Sequence, residues 1–142
     1  MLSSISPVTS FSQTLFRMFS IMKFSKTHEW VKLDGDVATI GVSDHAQKEL
    51  WDIVFIELPK PSTKIAKGGV ISTIETVKTV ANVFSPLEGI VIEANKQLNK
   101  NQTLLNKSPK GDGWIAKIKV NKSTAEQELE KLMTEEEYKK LL

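Results

Sequence analysis

The chain has 142 residues and a formal net charge of +2 at pH 7, with basic residues scattered among acidic ones. This length fits one modest domain, and this charge pattern gives no basic stripe of the kind that binds nucleic acid. The lack of cysteine excludes disulfides, thiolate metal sites and a cysteine nucleophile. No apolar run approaches the ~18 residues that a membrane span needs, so neither nucleic acid nor a membrane is an expected partner.

The first segment, residues 1–22, differs in composition from the rest of the chain. It is rich in Ser and Thr, contains no acidic residue and carries Arg17 among large apolar residues. This composition is typical of a mitochondrial transit peptide. We therefore predict that residues 1–22 are a disordered leader to the mitochondrial matrix and that residues 23–142 form a single domain. A tail without a targeting role is the alternative.

Short runs of strand-forming residues then alternate with turn residues. The predicted strands are residues 29–33, 37–42, 53–58, 70–75, 80–84, 90–94 and 114–120. Between the second and third of these runs, Ser43 can cap a short helix that continues to Leu50. The polar residues 95–110 carry no predicted element.

Two Ser/Thr-x-x-Glu patterns near the C-terminus predict helix starts. They are Ser123 with Glu126 and Thr134 with Glu137, in which hydroxyl and carboxylate bond free backbone amides reciprocally. Residues 123–142 are therefore expected to form helices that cover a sheet edge. Many short strands followed by helix predict a mostly β fold, either a compact β-sandwich or a flattened barrel, with a C-terminal helical cover.

Lys78 lies near the midpoint of a predicted hairpin. Strand-forming residues flank it on both sides, and turn residues at 68–69 and 85–89 bracket the two arms. Most lysines on a protein surface are simply solvated charges. A lysine centred at the tip of a stiff hairpin, however, is accessible to an enzyme that acylates it.

Six ordered blocks of the sequence resemble the glycine cleavage H-protein family, whose members carry a lipoyl group. The blocks are Thr27-His28-Glu29-Trp30-Val31, Asp44-His45-Ala46-Gln47 with Val54 to Pro59, Glu75-Thr76-Val77-Lys78, Ser85-Pro86 with Gly89, Gly113-Trp114, and Glu136-Glu137-Tyr138. The third block is similar to the family's Glu-Ser-Val-Lys lipoylation motif. A four-residue motif alone is weak evidence, whereas six blocks in order over residues 27–142 are strong evidence.

The resemblance implies a fold of the lipoyl/biotinyl-carrier type and a covalent lipoyl group on Lys78, attached by lipoylating enzymes. It implies a swinging arm that takes an aminomethyl group from a pyridoxal-phosphate-dependent glycine dehydrogenase (decarboxylating) to a folate-dependent aminomethyltransferase. Dihydrolipoyl dehydrogenase would then reoxidise the dithiol. The protein itself would be a non-catalytic carrier in glycine decarboxylation, without catalytic or metal-binding residues.

The resemblance also points to residues around Lys78. Glu75 is a candidate for recognition by the lipoylating enzyme, and Thr27 and Glu29 match positions of a cleft that protects the loaded arm. Glu29 would pair with the ammonium of the aminomethyl group. For all three the alternative is ordinary strand surface. Asn82 stands where the family usually has an aspartate near that cleft, which removes one carboxylate. Trp51 replaces a small residue, commonly glycine, and puts the local turn in question.

Other interpretations fit less well. Biotin carriers typically have methionines beside their lysine, whereas Val77 and Thr79 flank Lys78 here. Lipoyl domains of 2-oxo acid dehydrogenases usually read Asp-Lys-Ala at this place. An unmodified interaction module, or a lipoyl donor that relays lipoate to other proteins, remains open. An enzyme with its own active site is disfavoured, because no general-base or metal constellation appears and His28 and His45 lie far apart in sequence.

Overall fold

The fold consists of two antiparallel sheets with short helices, and the computed structural model describes residues 21–142 of it. The strands are β1 (Met22–Phe24), β2 (Glu29–Asp34), β3 (Val37–Val42), β4 (Ile53–Glu57), β5 (Lys64–Ile65), β6 (Val70–Thr76), β7 (Val80–Phe84), β8 (Gly89–Ala94) and β9 (Ala116–Lys119). The helices are α1 (Asp44–Lys48), α2 (Gln97–Lys100), α3 (Thr103–Lys107), α4 (Lys122–Glu130) and α5 (Glu135–Leu141). One sheet has the order β1-β2-β3-β9-β8-β5 and the other β4-β6-β7.

The larger of two apolar clusters joins the two sheets. Ala38, Ile40 and Ile118 of the six-stranded sheet and Ile56 and Ile74 of the three-stranded sheet are each at most 1 % exposed and belong to one packed cluster. Successive side chains of a strand point to opposite faces, so each sheet buries one face in this core. The predicted mostly β sandwich is therefore confirmed.

The C-terminal helix α5 covers the β1 edge of the six-stranded sheet. Phe24 of β1 stacks on Tyr138 of α5 with ring centroids 4.6 Å apart. The backbones of Phe24 and Met133 also exchange two hydrogen bonds of 2.8 and 2.9 Å. The predicted capping box at the start of this helix is present, because the Thr134 hydroxyl and the Glu137 carboxylate each accept the other's backbone amide hydrogen.

The other predicted capping box is wrong. Helix α4 begins at Lys122, and its N-cap is Asn121, whose side-chain oxygen accepts the amide hydrogen of Thr124 at 3.1 Å. Asparagine is as good an N-cap as serine, so the helix starts earlier and Ser123 lies in its first turn. Within residues 21–142, no helix is long and apolar enough to cross a lipid bilayer.

The predicted leader lies almost wholly outside the described residues. Met22, which the sequence assigned to the leader, pairs with Lys32 as the first residue of β1. Four short elements were not predicted, namely β1, β5, α2 and α3. Both helices lie within the polar stretch 95–110, and each buries one leucine, Leu98 and Leu105 respectively.

Candidate functional site

The hairpin of β6 and β7 places Lys78 at its tip. The strands pair antiparallel with Thr73 opposite Asn82 and Glu75 opposite Val80. Ile74 is fully buried, which fixes the hairpin on the core by about 1.5–3 kcal/mol of apolar burial. Lys78 therefore stands at the end of an anchored two-stranded platform, as the sequence predicted.

The hydroxyl of Thr76 closes the turn that carries Lys78. It accepts the backbone amide hydrogens of Lys78 at 3.3 Å and of Thr79 at 3.0 Å, and it donates to the Thr79 carbonyl at 3.1 Å. The Thr76 amide also donates to that carbonyl at 2.8 Å. Serine and threonine form such turns because a short hydroxyl reaches the backbone two or three residues on. Sequence reasoning missed this role, although the hydroxyl residue two positions before Lys78 was its signal.

The side chain of Lys78 is free at this tip. The residue is exposed, and among residues 21–142 its ammonium makes no salt bridge or hydrogen bond. Acylation would therefore remove a positive charge without breaking an ion pair of the described fold.

The turn before β4 braces the tip from the side. The Asp52 carbonyl accepts the amide hydrogen of Val77 at 3.2 Å, and Ile53 pairs with Thr76. Asp52 adopts a positive φ of 57°, a conformation that Asp tolerates better than most residues. The replacement of a small residue by Trp51 put this turn in question. The turn forms with Asp52 in the left-handed conformation, while the Trp51 side chain is 73 % exposed.

Glu75 lies on the outer face of the three-stranded sheet. It is exposed, pairs with Val80 on one side and Phe55 on the other, and has no salt-bridge partner within the described part of the chain. Phe55 and Val80 are themselves 47 % and 61 % exposed. The carboxylate is thus presented between two apolar side chains near Lys78.

Thr27, Glu29 and Asn82 line one open cleft of about 230 Å³ beside the hairpin. The structure thus brings together the three residues that the resemblance assigned to an arm cleft. The apolar part of its wall comes from Val42, Leu50, Ile74, Ala81 and Val83, and its polar part also includes His28, Glu49 and Thr79. Because Thr79 directly follows Lys78 and Ala81 and Asn82 lie on β7, the cleft adjoins the strand that begins at the tip.

Glu29 is buried in the cleft wall and held by three donors. Its side chain accepts hydrogen bonds from the Ser25 hydroxyl at 2.7 Å, from the Thr27 hydroxyl, and from the Phe84 amide at 3.0 Å. No cation of residues 21–142 pairs with it. The donors stabilise the carboxylate while leaving its charge for a cationic ligand.

Asn82 and Glu49 are exposed residues that line the cleft. The Asn82 side-chain oxygen accepts from the Thr73 hydroxyl at 3.4 Å on the outer face of the hairpin. Glu49, which sequence reasoning did not consider, lies just beyond α1, is exposed and contacts His45 Nε2 at 3.5 Å. Glu49 therefore gives the cleft a second carboxylate beside that of Glu29, whereas position 82 carries a neutral amide.

His28, which lines the cleft, lies next to His45, although the two are far apart in sequence. Their ring centroids lie 4.7 Å apart. The hydroxyl of Tyr138 bonds His28 Nδ1 at 2.6 Å and Ser43 Oγ at 2.7 Å. Burial raises the pKa of Tyr138 above its ordinary value of 10.0, against the lowering effect of the bond with Ser43, and the charges of Glu29 and Glu49 raise it further. Among the described residues, no group of three or more potential ligands is placed to hold a metal ion.

Comparison with known proteins places the chain in a family. The family model described as "Glycine cleavage H-protein" matches residues 22–142. The glycine cleavage system H protein of Halothermothrix orenii is 46 % identical over 121 residues, which cover 85 % of this chain and 92 % of that protein. The mitochondrial H protein of Pisum sativum is 43 % identical over 136 residues, covering 96 % and 81 % respectively.

A solved structure agrees at the level of fold. The crystal structure of the glycine cleavage system H protein from Mycobacterium marinum matches with a TM-score of 0.73, covering 84 % of this chain and 94 % of that one at 22 % identity. The family model also matches nearly all of the described residues. The chain belongs to the glycine cleavage H-protein family.

Proposed function

We propose that Lys78 is the residue on which this protein holds lipoate, as an amide of its side-chain nitrogen. Family membership gives the chain its role as a non-catalytic carrier of the glycine cleavage system. The observation that supports Lys78 is its exposed ammonium, unpaired among residues 21–142, at the tip of a hairpin that is fixed by the core, by Thr76 and by Asp52.

The surroundings of Lys78 fit a covalent lipoyl group. An amine that makes no ion pair with the described residues loses no interaction when it becomes an amide. The neighbouring cleft offers an apolar wall for a hydrocarbon stem and polar groups for its end. When bound, lipoate supplies a disulfide that exchanges two electrons and accepts the one-carbon amine cargo.

The residues of the chain would position the lipoyl arm and set the charge of the cleft beside it. The hairpin holds the root of the arm at a fixed place, which raises the effective concentration of the arm at a docked enzyme. Glu29, which pairs with no cation of the described residues, places a carboxylate in the cleft wall that would stabilise an ammonium there. Thr27 holds the Glu29 carboxylate in place, and Asn82 lines the cleft while its side-chain oxygen accepts from the Thr73 hydroxyl.

The partners follow from the proposed lipoyl cycle. They are the lipoylating enzymes, glycine dehydrogenase (decarboxylating), aminomethyltransferase and dihydrolipoyl dehydrogenase. The mitochondrial matrix is the proposed location, because residues 1–22 are rich in Ser and contain no acidic residue, as is typical of a transit peptide. Mitochondrial relatives from plants support this location, although bacterial relatives are equally similar.

Substitution of Lys78 by Arg tests the proposal. Arg keeps the positive charge but cannot form this amide, so we expect complete loss of glycine-dependent NADH formation in a system reconstituted with the partner enzymes. Lys60→Arg, at another exposed lysine, is the matched control and should retain full activity. Both variants should keep the stability of the parent to within about 0.5 kcal/mol, as surface substitutions do. Retained activity of Lys78→Arg would overturn the proposal.

A further inference from the structure

Glu49 lines the cleft from the C-terminal end of α1. Its backbone is fixed there, because its amide donates to the Ala46 carbonyl at 3.2 Å and the Leu50 side chain that follows is buried. The side-chain amide of Asn106 on α3 also donates to the carbonyls of Gln47 and Leu50, both at 3.2 Å. The Glu49 carboxylate is therefore exposed on a backbone that the fold holds in place.

The ionisable groups of the cleft favour a cationic ligand. Among the described residues, its lining contains the carboxylates of Glu29 and Glu49, the imidazole of His28, and no Lys or Arg. Glu49 contacts His45 Nε2 at 3.5 Å, and this contact offsets its charge only when His45 is protonated. The adjacent Lys48 pairs instead with the carboxylate at the start of α1, at 3.3 Å. The cleft thus holds two carboxylates and no permanent cation.

The charges of Glu29 and Glu49 act on the same part of the molecule. Burial raises the pKa of Tyr138, its bond with Ser43 lowers it, and the charges of Glu29 and Glu49 raise it further. The Tyr138 hydroxyl bonds His28, which lines the cleft. A group beside both carboxylates therefore experiences the negative potential of each.

Position 82 adds no charge to the cleft. Asn82 is a lining residue, but its side chain is neutral and its oxygen accepts from the Thr73 hydroxyl at 3.4 Å. Among the described residues that line the cleft, Glu49 is thus the carboxylate available besides Glu29.

We propose that Glu49 is a binding residue for the cargo, whose ammonium it holds together with Glu29 in the cleft beside Lys78. The inference rests on the proposed lipoyl group on Lys78. Glu29 contributes a buried carboxylate from β2, and Glu49 contributes an exposed one from the end of α1. Two negative charges raise the pKa of an amine placed beside them, because they favour its charged form. Glu49 thereby supplies the charge that Asn82 does not.

The test measures release of ammonia from the loaded protein. Full-length protein is lipoylated, loaded by glycine dehydrogenase (decarboxylating) from glycine labelled with carbon-13 in its methylene group, and separated from that enzyme. We expect Glu49→Gln to speed release about twofold to fivefold, which corresponds to the loss of one exposed charge pair. Work at pH 8 keeps imidazoles largely uncharged, so His45 does not mask the charge of Glu49.

Three variants serve as controls. Glu126→Gln removes an exposed carboxylate of α4 that does not line the cleft, and it should release ammonia at the parental rate. His45→Gln removes the contact of Glu49 but not its charge, and it should also stay at the parental rate. Glu49→Asp keeps the charge, so its release rate should lie closer to the parent than that of Glu49→Gln. Circular dichroism checks that each variant is folded.

A second readout reports the charge directly. The carbon-13 signal of the cargo shifts when its amine loses a proton. In Glu49→Gln this titration should occur at lower pH than in the parent, because one carboxylate that favours the ammonium is gone. Glu126→Gln should titrate like the parent.

Three results would overturn the inference. Release and titration at the parental values in Glu49→Gln would leave its carboxylate an ordinary solvated charge. Faster release without a shifted titration would assign Glu49 a structural role at the end of α1. An equal acceleration in His45→Gln would assign the effect to the contact between the two side chains. A missing lipoyl group on Lys78, seen by peptide mapping before loading, would overturn the proposed function and this inference with it.

Discussion

The two sides of the β6–β7 hairpin are built in opposite ways. On the outer face and at the tip, Lys78 and Glu75 are exposed and have no salt-bridge partner in the described chain, and apolar neighbours lie in water. On the cleft side, Glu29 is 3 % exposed and each of its carboxylate oxygens already accepts a hydrogen bond. The two sides differ in how their charged groups are held. Those on the outer face and at the tip are exposed, whereas the fold fixes the Glu29 carboxylate by hydrogen bonds before any ligand binds.

The largest expected effect on stability is at Glu29. Glu29→Ala leaves the part-buried Phe84 amide without its acceptor and also removes the acceptor of Ser25 and Thr27. We expect a loss of about 1–3 kcal/mol in the free energy of unfolding, measured in urea. Glu75→Ala, on the open side of the same hairpin, should change it by less than about 0.5 kcal/mol. Equal effects of the two substitutions would remove the contrast between the two sides.

A smaller effect is expected at Thr76. Thr76→Val keeps the shape of the side chain but removes the hydroxyl that holds the turn, which should cost about 0.5–1.5 kcal/mol. Hydrogen exchange of the Lys78 and Thr79 amides should become faster, because both lose their acceptor. Thr76→Ser should restore protection, and Thr73→Val is the control within the same strand. Unchanged exchange in Thr76→Val would show that the hydroxyl does not fix the tip.

A modest gain is expected at Asn82. Asn82→Asp adds a carboxylate beside the cleft, so the ammonium of the cargo should be held more tightly. At an exposed position this attraction is worth about 0.2–1 kcal/mol, and spontaneous release of ammonia from the loaded protein should slow by up to about fivefold. Glu57→Gln, outside the cleft, serves as the charge control. Release at the parental rate would leave Asn82 without a role in arm protection.

The smallest effect concerns Tyr138, which lies behind the cleft and is the single tyrosine of the chain. Burial raises its pKa above the ordinary value of 10.0. The protonated phenol therefore adds stability that is fully present below about pH 10 and is lost as pH rises through the raised pKa. Phenolate absorbance should titrate at a higher pH in the folded protein than in urea. Coincident curves would show that Tyr138 is not held as described.

The sequence predicted the strands well because their bounds depend on local chemistry. β3 and β7 match their predicted ranges, since runs of β-branched residues end there at turn residues. α2 and α3 were not predicted, because helices of four or five residues with one buried leucine each show no periodicity. The N-cap of α4 was misplaced because two good capping residues lie close together.

The site was predictable only in part. The position of Lys78 at a hairpin tip follows from the strand pattern around it, and its chemistry follows from the family resemblance. Three other features depend on elements that meet only in the folded chain. They are the hydrogen bond from the tip to Asp52, the contact of His28 with His45, and the position of Glu49 in the cleft. No local pattern reports such contacts.

The most direct test of the account is peptide mapping by mass spectrometry of protein purified from a lipoate-sufficient host. We predict one lipoyl amide in the peptide that contains residues 75–80, located on Lys78, and no such modification on any other lysine. An unmodified Lys78, or a lipoyl group on another lysine, would contradict the account.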